Sequence, residues 1–304
     1  MPDPSPTNQT LSFLQRRFAA AGLKPNARHG QHFLIDLNLL RLLFKTAQVG
    51  SRDVVLEVGT GTGALTAMLA DAAAAVVGVE IDRDLFRLAR EQLGDRPNVT
   101  LLNVDALRNK NQMNPEVMAA VRERLQAGED RQFKLVANLP YNVATPIITN
   151  LLSGEPIPRS MTVTIQKEVA DRLRARPGTK DHGSLSIWVQ SQCRVKVVRS
   201  LPPTSFWPRP KVMSAIVQMV FRPSWRERLG DPDSFQVFVR AMFMHRRKLL
   251  RSQILATCRG KLDKAVVDTI LVRLNLPADV RAEQLDVEQF VRLFHALRAT
   301  CGVN

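Results

Sequence analysis

The run Glu57-Val58-Gly59-Thr60-Gly61-Thr62-Gly63 constrains the fold of this chain more than any other feature. It closes a short apolar, β-branched segment at 53–58 and leads into an Ala- and Leu-rich segment at 64–75, so it reads as a turn from a strand into a helix. Glycines at alternate positions let the backbone turn tightly and approach a ligand with no Cβ in the way. The alternation then continues. Residues 76–80 read as a second strand, 84–93 as a second helix, 99–104 as a third strand and 134–137 as a fourth. Strand and helix in turn, with short links, require a parallel sheet covered on both faces. The polar stretch 109–132, with a helix expected over 115–125, reads as a surface insertion.

Beyond this block, strands are expected at 161–165 and 213–221, with a basic helix at 167–176 and a buried segment at 185–189 between them. Composition breaks at Arg222-Pro223 and again at Gly230-Asp231-Pro232-Asp233. From Ser234 the apolar residues recur at helical spacing: Phe235, Phe238, Val239, Met242 and Phe243, then Val266, Ile270 and Leu274, then Phe290, Leu293, Phe294 and Leu297. The expected division is an N-terminal tail and helix (1–28), an α/β domain (29–222) and a smaller C-terminal all-α domain (223–304).

Charge adds a direction. The 304 residues carry 43 Lys and Arg against 28 Asp and Glu, a net charge of +15, and a chain this basic usually meets a polyanion. The excess is uneven: residues 31–140 hold 13 basic and 14 acidic side chains, whereas 141–222 hold 12 and 4, and 223–304 hold 14 and 9. A neutral ligand-binding block followed by a basic surface is the expected layout. Cys193, Cys258 and Cys301 stand far apart with no C-x-x-C, which offers neither a zinc module nor a disulfide framework and fits a reducing compartment. No apolar run approaches the length of a membrane helix. Met1 to Pro6 lacks the cationic start and apolar stretch of a secretory signal and reads as a solvated tail. With no H-E-x-x-H and no G-x-S-x-G, metal hydrolysis and serine-nucleophile chemistry have no sequence support.

Two further features carry chemistry. Glu80 ends the second strand, 21 residues after Gly59, where a carboxylate can accept hydrogen bonds from both hydroxyls of a ribose. That pairing indicates a nucleoside-containing ligand and leaves NAD and S-adenosylmethionine both open. Asn138-Leu139-Pro140-Tyr141 follows the fourth strand at the edge of the sheet where such folds place ligands. The exocyclic amine of adenine is a poor nucleophile because its lone pair is delocalised into the ring. The Asn138 side-chain oxygen and the Leu139 carbonyl could hold its hydrogens and turn that lone pair toward an electrophilic methyl group. Tyr141, the only tyrosine in the chain, offers a face for an extruded base, a contact worth roughly 1–3 kcal/mol. The same four residues also suit a strand-ending turn with a buried tyrosine.

At these residues the sequence resembles the ribosomal RNA adenine N6,N6-dimethyltransferases of the KsgA/RsmA type, with the Erm methylases as relatives. The resemblance runs from about Gly30 to Ile254. It is carried in order by Gly30-Gln31-His32-Phe33-Leu34, the glycine loop, Glu80, Val104-Asp105-Ala106-Leu107, Asn138 to Tyr141, Gln166-Lys167-Glu168-Val169-Ala170, Phe206-Trp207-Pro208-Arg209-Pro210-Lys211-Val212, and Phe243 to Lys248. It implies a Rossmann-like class I S-adenosylmethionine-dependent methyltransferase sheet. By the same resemblance His32 and Leu34 help to enclose the cofactor, Gly59 passes its methionine portion, Glu80 holds the ribose and Asp105 the adenine amine, and Asn138 lies between cofactor and target. Phe206 would pack on the target adenine opposite Tyr141.

The expected activity is S-adenosylmethionine-dependent dimethylation of two adjacent adenines in a 3'-terminal hairpin of small-subunit (16S) rRNA during ribosome biogenesis. The expected protein is cytoplasmic and monomeric, works on a pre-30S particle, uses no metal and touches no membrane. The residues depart from the family at His32, where Asn is usual, at Asp181-His182-Gly183-Ser184, and in the length of 109–132. Erm-like action on large-subunit rRNA is the nearest alternative, followed by a DNA adenine methylase and a non-catalytic ribosome-assembly or transcription factor. A small-molecule methyltransferase leaves the basic second half unexplained. Arg172, Arg174, Arg176 and His245 to Lys248 are expected to meet RNA phosphates.

Overall fold

The strands that precede the glycine loop and Glu80 are mostly apolar, and both are buried along their whole length, as a sheet covered by helices on each face demands. The computed structural model describes residues 9–25, 30–258 and 262–301. The expected solvated tail at Met1 to Pro6 lies outside the described residues. The strands of the main sheet are β1 (Asp53–Val58), β2 (Ala75–Val79), β3 (Val99–Leu102), β4 (Gln132–Asn138), β5 (Ser160–Gln166), β6 (Cys193–Leu201) and β7 (Ser214–Phe221). They lie in the order β3-β2-β1-β4-β5-β7-β6. β1 to β5 are mutually parallel, and β7 enters antiparallel to β5. The chain order reverses between β1 and β4, and a crevice opens at that point beyond the carboxyl ends of the strands.

Helices start where short polar side chains cap them. Asp36 accepts from the amides of Asn38 and Leu39 to begin Leu37–Ala47, and Asp82 accepts from those of Asp84 and Leu85 to begin Arg83–Leu93. Leu40 and Leu43 of the first helix, Leu65 and Leu69 of Ala64–Ala70, Val55, Val76 and Val136 of the sheet, and Phe206 share one buried cluster. One polar group crosses this apolar interior. Lys134 donates to Asp53 Oδ2 at 2.8 Å, to the Gln48 carbonyl at 2.7 Å and to the Ala47 carbonyl at 3.3 Å, which ties β4 to β1 and to the end of Leu37–Ala47.

Several expectations need correcting. Residues 109–132 are not a surface insertion. A short hairpin, Leu107–Asn109 with Gln112–Met113, leads into the helix Pro115–Gln126, whose Val117, Met118 and Val121 are buried. A polar outer face made the stretch look detached, yet its apolar face covers the sheet. The helix after the glycine loop ends at Ala70 and not at 75, and the basic helix ends at Leu173. Strand β6 was not anticipated, although Arg194 and Lys196 alternate with Cys193, Val195 and Val197 as in a half-exposed strand.

By backbone contacts the chain forms two compact units. One comprises 1–170 and 196–221, and the other 171–195 and 222–304. The sequence division keeps 171–195 with the sheet, whereas the contacts group them with the C-terminal helices. Within the second unit, Phe235 and Phe294 meet edge to face at 5.3 Å, and Phe243 stacks on Phe290 at 5.5 Å. Helix Lys264–Arg273 buries Val267, Ile270 and Leu271, so its inward face is turned by one residue from the expected Val266, Ile270 and Leu274.

Candidate active site

The glycine loop takes a shape that side chains resist. Gly59 and Gly61 have φ of 82° and 57°, and a Cβ at Gly61 would stand 3.1 Å from the Phe33 ring, while one at Gly59 would stand 3.3 Å from Pro140. The loop is locked to the next strand by Glu80: its Oε2 accepts from the Gly61 amide at 2.9 Å and its Oε1 from the Asp82 amide at 3.1 Å. Burial pushes the Glu80 carboxyl up to about 7, against those backbone donors, which favour the ionised form. Glu57, fully buried behind the loop, is pushed up to about 8 by burial, and its Oε2 has no hydrogen-bond partner.

These residues border a cleft with about 710 Å³ of empty space, part of it open to solvent. Gly59, Glu80, Leu34, His32 and Asn138 all line it, so the crevice at the strand reversal gathers five of the residues expected from the sequence. The Glu80 oxygens and three unpartnered buried oxygens, of Glu57, Thr60 and Asn138, offer acceptors to a ligand with hydroxyl and amine donors, while the Gly59, Gly61 and Gly63 amides are already bonded within the protein. That chemistry fits the nucleoside and amino-acid ends of S-adenosylmethionine. Among the described residues no group of three or more His, Cys, Asp or Glu could hold a metal ion, and no helix is long and apolar enough to cross a membrane.

Asn138 ends β4 at the floor of this cleft. Its amide nitrogen donates to the His32 carbonyl at 2.8 Å. Since that carbonyl can only accept, the orientation of the amide is settled, and Oδ1 is left buried with no partner. Just beyond, the Tyr141 hydroxyl bonds to the buried Ser214 hydroxyl of β7. The Tyr141 ring lies 5.1 Å from that of His32. Residues 33–34 pair antiparallel with 206–207, placing Leu34 opposite Phe206 and Phe33 opposite Trp207. Two segments far apart in sequence thus meet at one wall of the site.

Two expected residues stand elsewhere. Asp105 is exposed, outside the cleft lining, and its Oδ1 accepts from the Leu107 amide at 2.9 Å. Phe206 is 1% exposed and belongs to the apolar core with Leu34, so its ring has no open face. Three other residues were not singled out for the site. Glu57 carried the signal of an acidic residue directly before the glycine loop. Gln9, which accepts from the Thr62 hydroxyl at 3.0 Å and lines the cleft, and Ser214 carried none.

A sheet of this strand order, with a glycine turn after β1, an acidic end to β2 and an Asn-to-Tyr turn after β4, defines a Rossmann-like class I methyltransferase. A family model described as Ribosomal RNA adenine dimethylase matches residues 22–299. The chain belongs to that family. Ribosomal RNA small subunit methyltransferase A of Bacillus mycoides (strain KBAB4) is 40% identical over 269 residues, covering 88% of this chain and 89% of its own. The protein of the same name from Bacillus anthracis (strain CDC 684 / NRRL 3495) matches to the same extent. Among solved structures, a dimethyladenosine transferase from Plasmodium falciparum is similar with a TM-score of 0.73 at 25% identity, covering 87% of this chain and 97% of that one. The 23S rRNA methyltransferase ErmE is similar at 0.62 and 25% identity, with 87% and 99% covered.

Proposed function

We propose that this protein transfers methyl groups from S-adenosylmethionine to N6 of two adjacent adenines in a 3'-terminal hairpin of small-subunit rRNA, during ribosome biogenesis in the cytoplasm. It would act as a monomer on a pre-30S particle. Residues 29–222 would supply the chemistry and 223–304 the helical RNA-binding part. The observation that carries the reading is the buried, unpartnered Oδ1 of Asn138, held in place by the bond of its own amide to His32. A buried acceptor without a donor costs about 1–3 kcal/mol, so the site is prepared for an N–H donor that arrives with the substrate.

S-adenosylmethionine, when bound, supplies a methyl group on a sulfonium centre as the electrophile. Glu80 would hold the ribose hydroxyls, the Gly59 turn would admit the methionine portion, His32 and Leu34 would wall the cleft, and Asp105, which stands outside the lining in this structure, would take the cofactor's adenine amine only after moving toward it. Asn138 Oδ1 and the Leu139 carbonyl accept the two N6 hydrogens of the target. Those acceptors orient the lone pair of N6 and stabilise the positive charge that it gains in an in-line displacement. The resulting ammonium is acidic enough to lose its proton to water, so no strong base is needed. Tyr141, anchored by Ser214, gives the base a face to stack on. Phe206 would meet the base only after its segment turned outward, because in this structure its ring is enclosed.

Asn138→Ala tests the reading. Turnover on unmodified small subunits is expected to fall by about 10²–10³, the loss typical of a transition-state acceptor, while affinity for S-adenosylhomocysteine stays within about threefold. Equal losses in both would remove Asn138 from the target amine.

A further inference from the structure

Three contacts converge on one residue at the edge of the cleft. The His32 ring lies against that of Tyr141, 5.1 Å between centres and tilted by 33°. Its Nδ1 stands 2.7 Å from the Pro208 carbonyl oxygen, and because a carbonyl only accepts, that nitrogen carries the proton. The main-chain carbonyl of the same residue takes the Asn138 amide. Neither Tyr141 nor Pro208 lines the cofactor cleft.

We propose that the His32 side chain is a positioning residue of the base pocket, fixing the Tyr141 ring and the Pro208 segment where the target adenine docks. This rests on the adenine reading above. A phenol anchored at its hydroxyl, as Tyr141 is by Ser214, can still pivot about that contact unless its ring is held as well. A second contact on the ring removes the pivot, and aromatic pairs at this spacing add specific attraction. The Nδ1 bond extends the same hold to Pro208, so one imidazole aligns two walls that come from distant parts of the sequence. Through its main chain, the residue also sets the direction of the Asn138 acceptor.

Tyr141 is the only tyrosine, which permits a direct test. Protein labelled with 3-fluorotyrosine should give a single fluorine resonance. His32→Ala and His32→Gln should displace it in the free protein, whereas His32→Phe, which keeps a ring, should leave it near the wild-type position. In methyl transfer to unmodified small-subunit RNA, Ala and Gln should lower kcat/KM for RNA by about tenfold, and Phe, which keeps the ring contact but loses the Nδ1 bond to Pro208, should fall between them and wild type. Affinity for S-adenosylhomocysteine, whose cleft His32 also lines, should fall by less than the loss on the RNA side in all three. Thermal melts establish that each variant is folded, and the Phe and Gln pair decides the matter if Ala does not fold. An unmoved resonance in Ala or Gln, or a loss of cofactor affinity as large as the loss on the RNA side, overturns the proposal. A wild-type protein that transfers no methyl to this RNA defeats the adenine reading instead, and the fluorine comparison, which needs no turnover, still judges the His32 contact.

Discussion

Glu57 and Glu80 hold their protons far above the ordinary carboxylate range, at about 8 and about 7, because burial outweighs the bonds that would ionise them. In the unfolded chain both ionise near 4.5. The folded state therefore binds more protons than the unfolded state between pH 4.5 and about 8, and stability falls as pH rises through that window. A ribose seated on Glu80 favours its ionised, acceptor form, so cofactor binding should release a proton below pH 7. Calorimetry with S-adenosylhomocysteine in buffers of different ionisation enthalpy should show release at about pH 6.5, less at about pH 8.5, and none in Glu80→Gln. Heats that do not depend on the buffer would contradict the ribose role. At this scale the glycine loop, Glu80 and Asn138 were legible in the sequence because their chemistry depends on short spacing along one strand and turn. The orphaned oxygen of Glu57, the anchoring of Tyr141 by Ser214 and the enclosure of Phe206 were not legible. Each depends on residues brought together only by the fold.

The elements are held in register by the buried Lys134–Asp53 pair as well as by apolar packing. Lys134 joins two adjacent strands and supplies a donor to the last carbonyls of Leu37–Ala47. Lys134→Met should cost about 3–5 kcal/mol in urea melts, because Asp53 is left as a buried charge without its cation. Asp53→Asn combined with Lys134→Met should recover part of that loss, and loss as large as in the single variant would contradict the account of the pair. S-adenosylhomocysteine affinity of the folded fraction should be unchanged. Strands β1 to β5 were readable as apolar runs between turn residues. The helix Pro115–Gln126 was misplaced as an insertion since its polar residues outnumber the three that touch the sheet, and β6 was missed because it is an edge strand. Cations such as Arg194, Lys196 and Arg199 are a common protection for an edge, and the apolar pair Val197-Val198 breaks the alternation that Cys193 to Val197 sets up.

Over the whole molecule, the charge divides as the chemistry does. The segment 31–140, which supplies most of the cleft, has a slight acidic excess, and the surplus that makes up +15 lies mainly after residue 140. A reaction on a neutral amine inside a cleft needs orientation more than charge, whereas docking to folded RNA needs cations. Composition could point to a polyanion but not to its identity. The Asn138 to Tyr141 turn narrowed the partner to an adenine, and the family placed it in ribosomal RNA. The most direct test is methyl transfer by purified protein to unmodified small and large ribosomal subunits, followed by nucleoside analysis of each RNA. The proposed function predicts N6,N6-dimethyladenosine in small-subunit RNA, at two adjacent positions near its 3' end, and none in large-subunit RNA. Dimethyladenosine confined to large-subunit RNA, or methyl groups in neither, would contradict it.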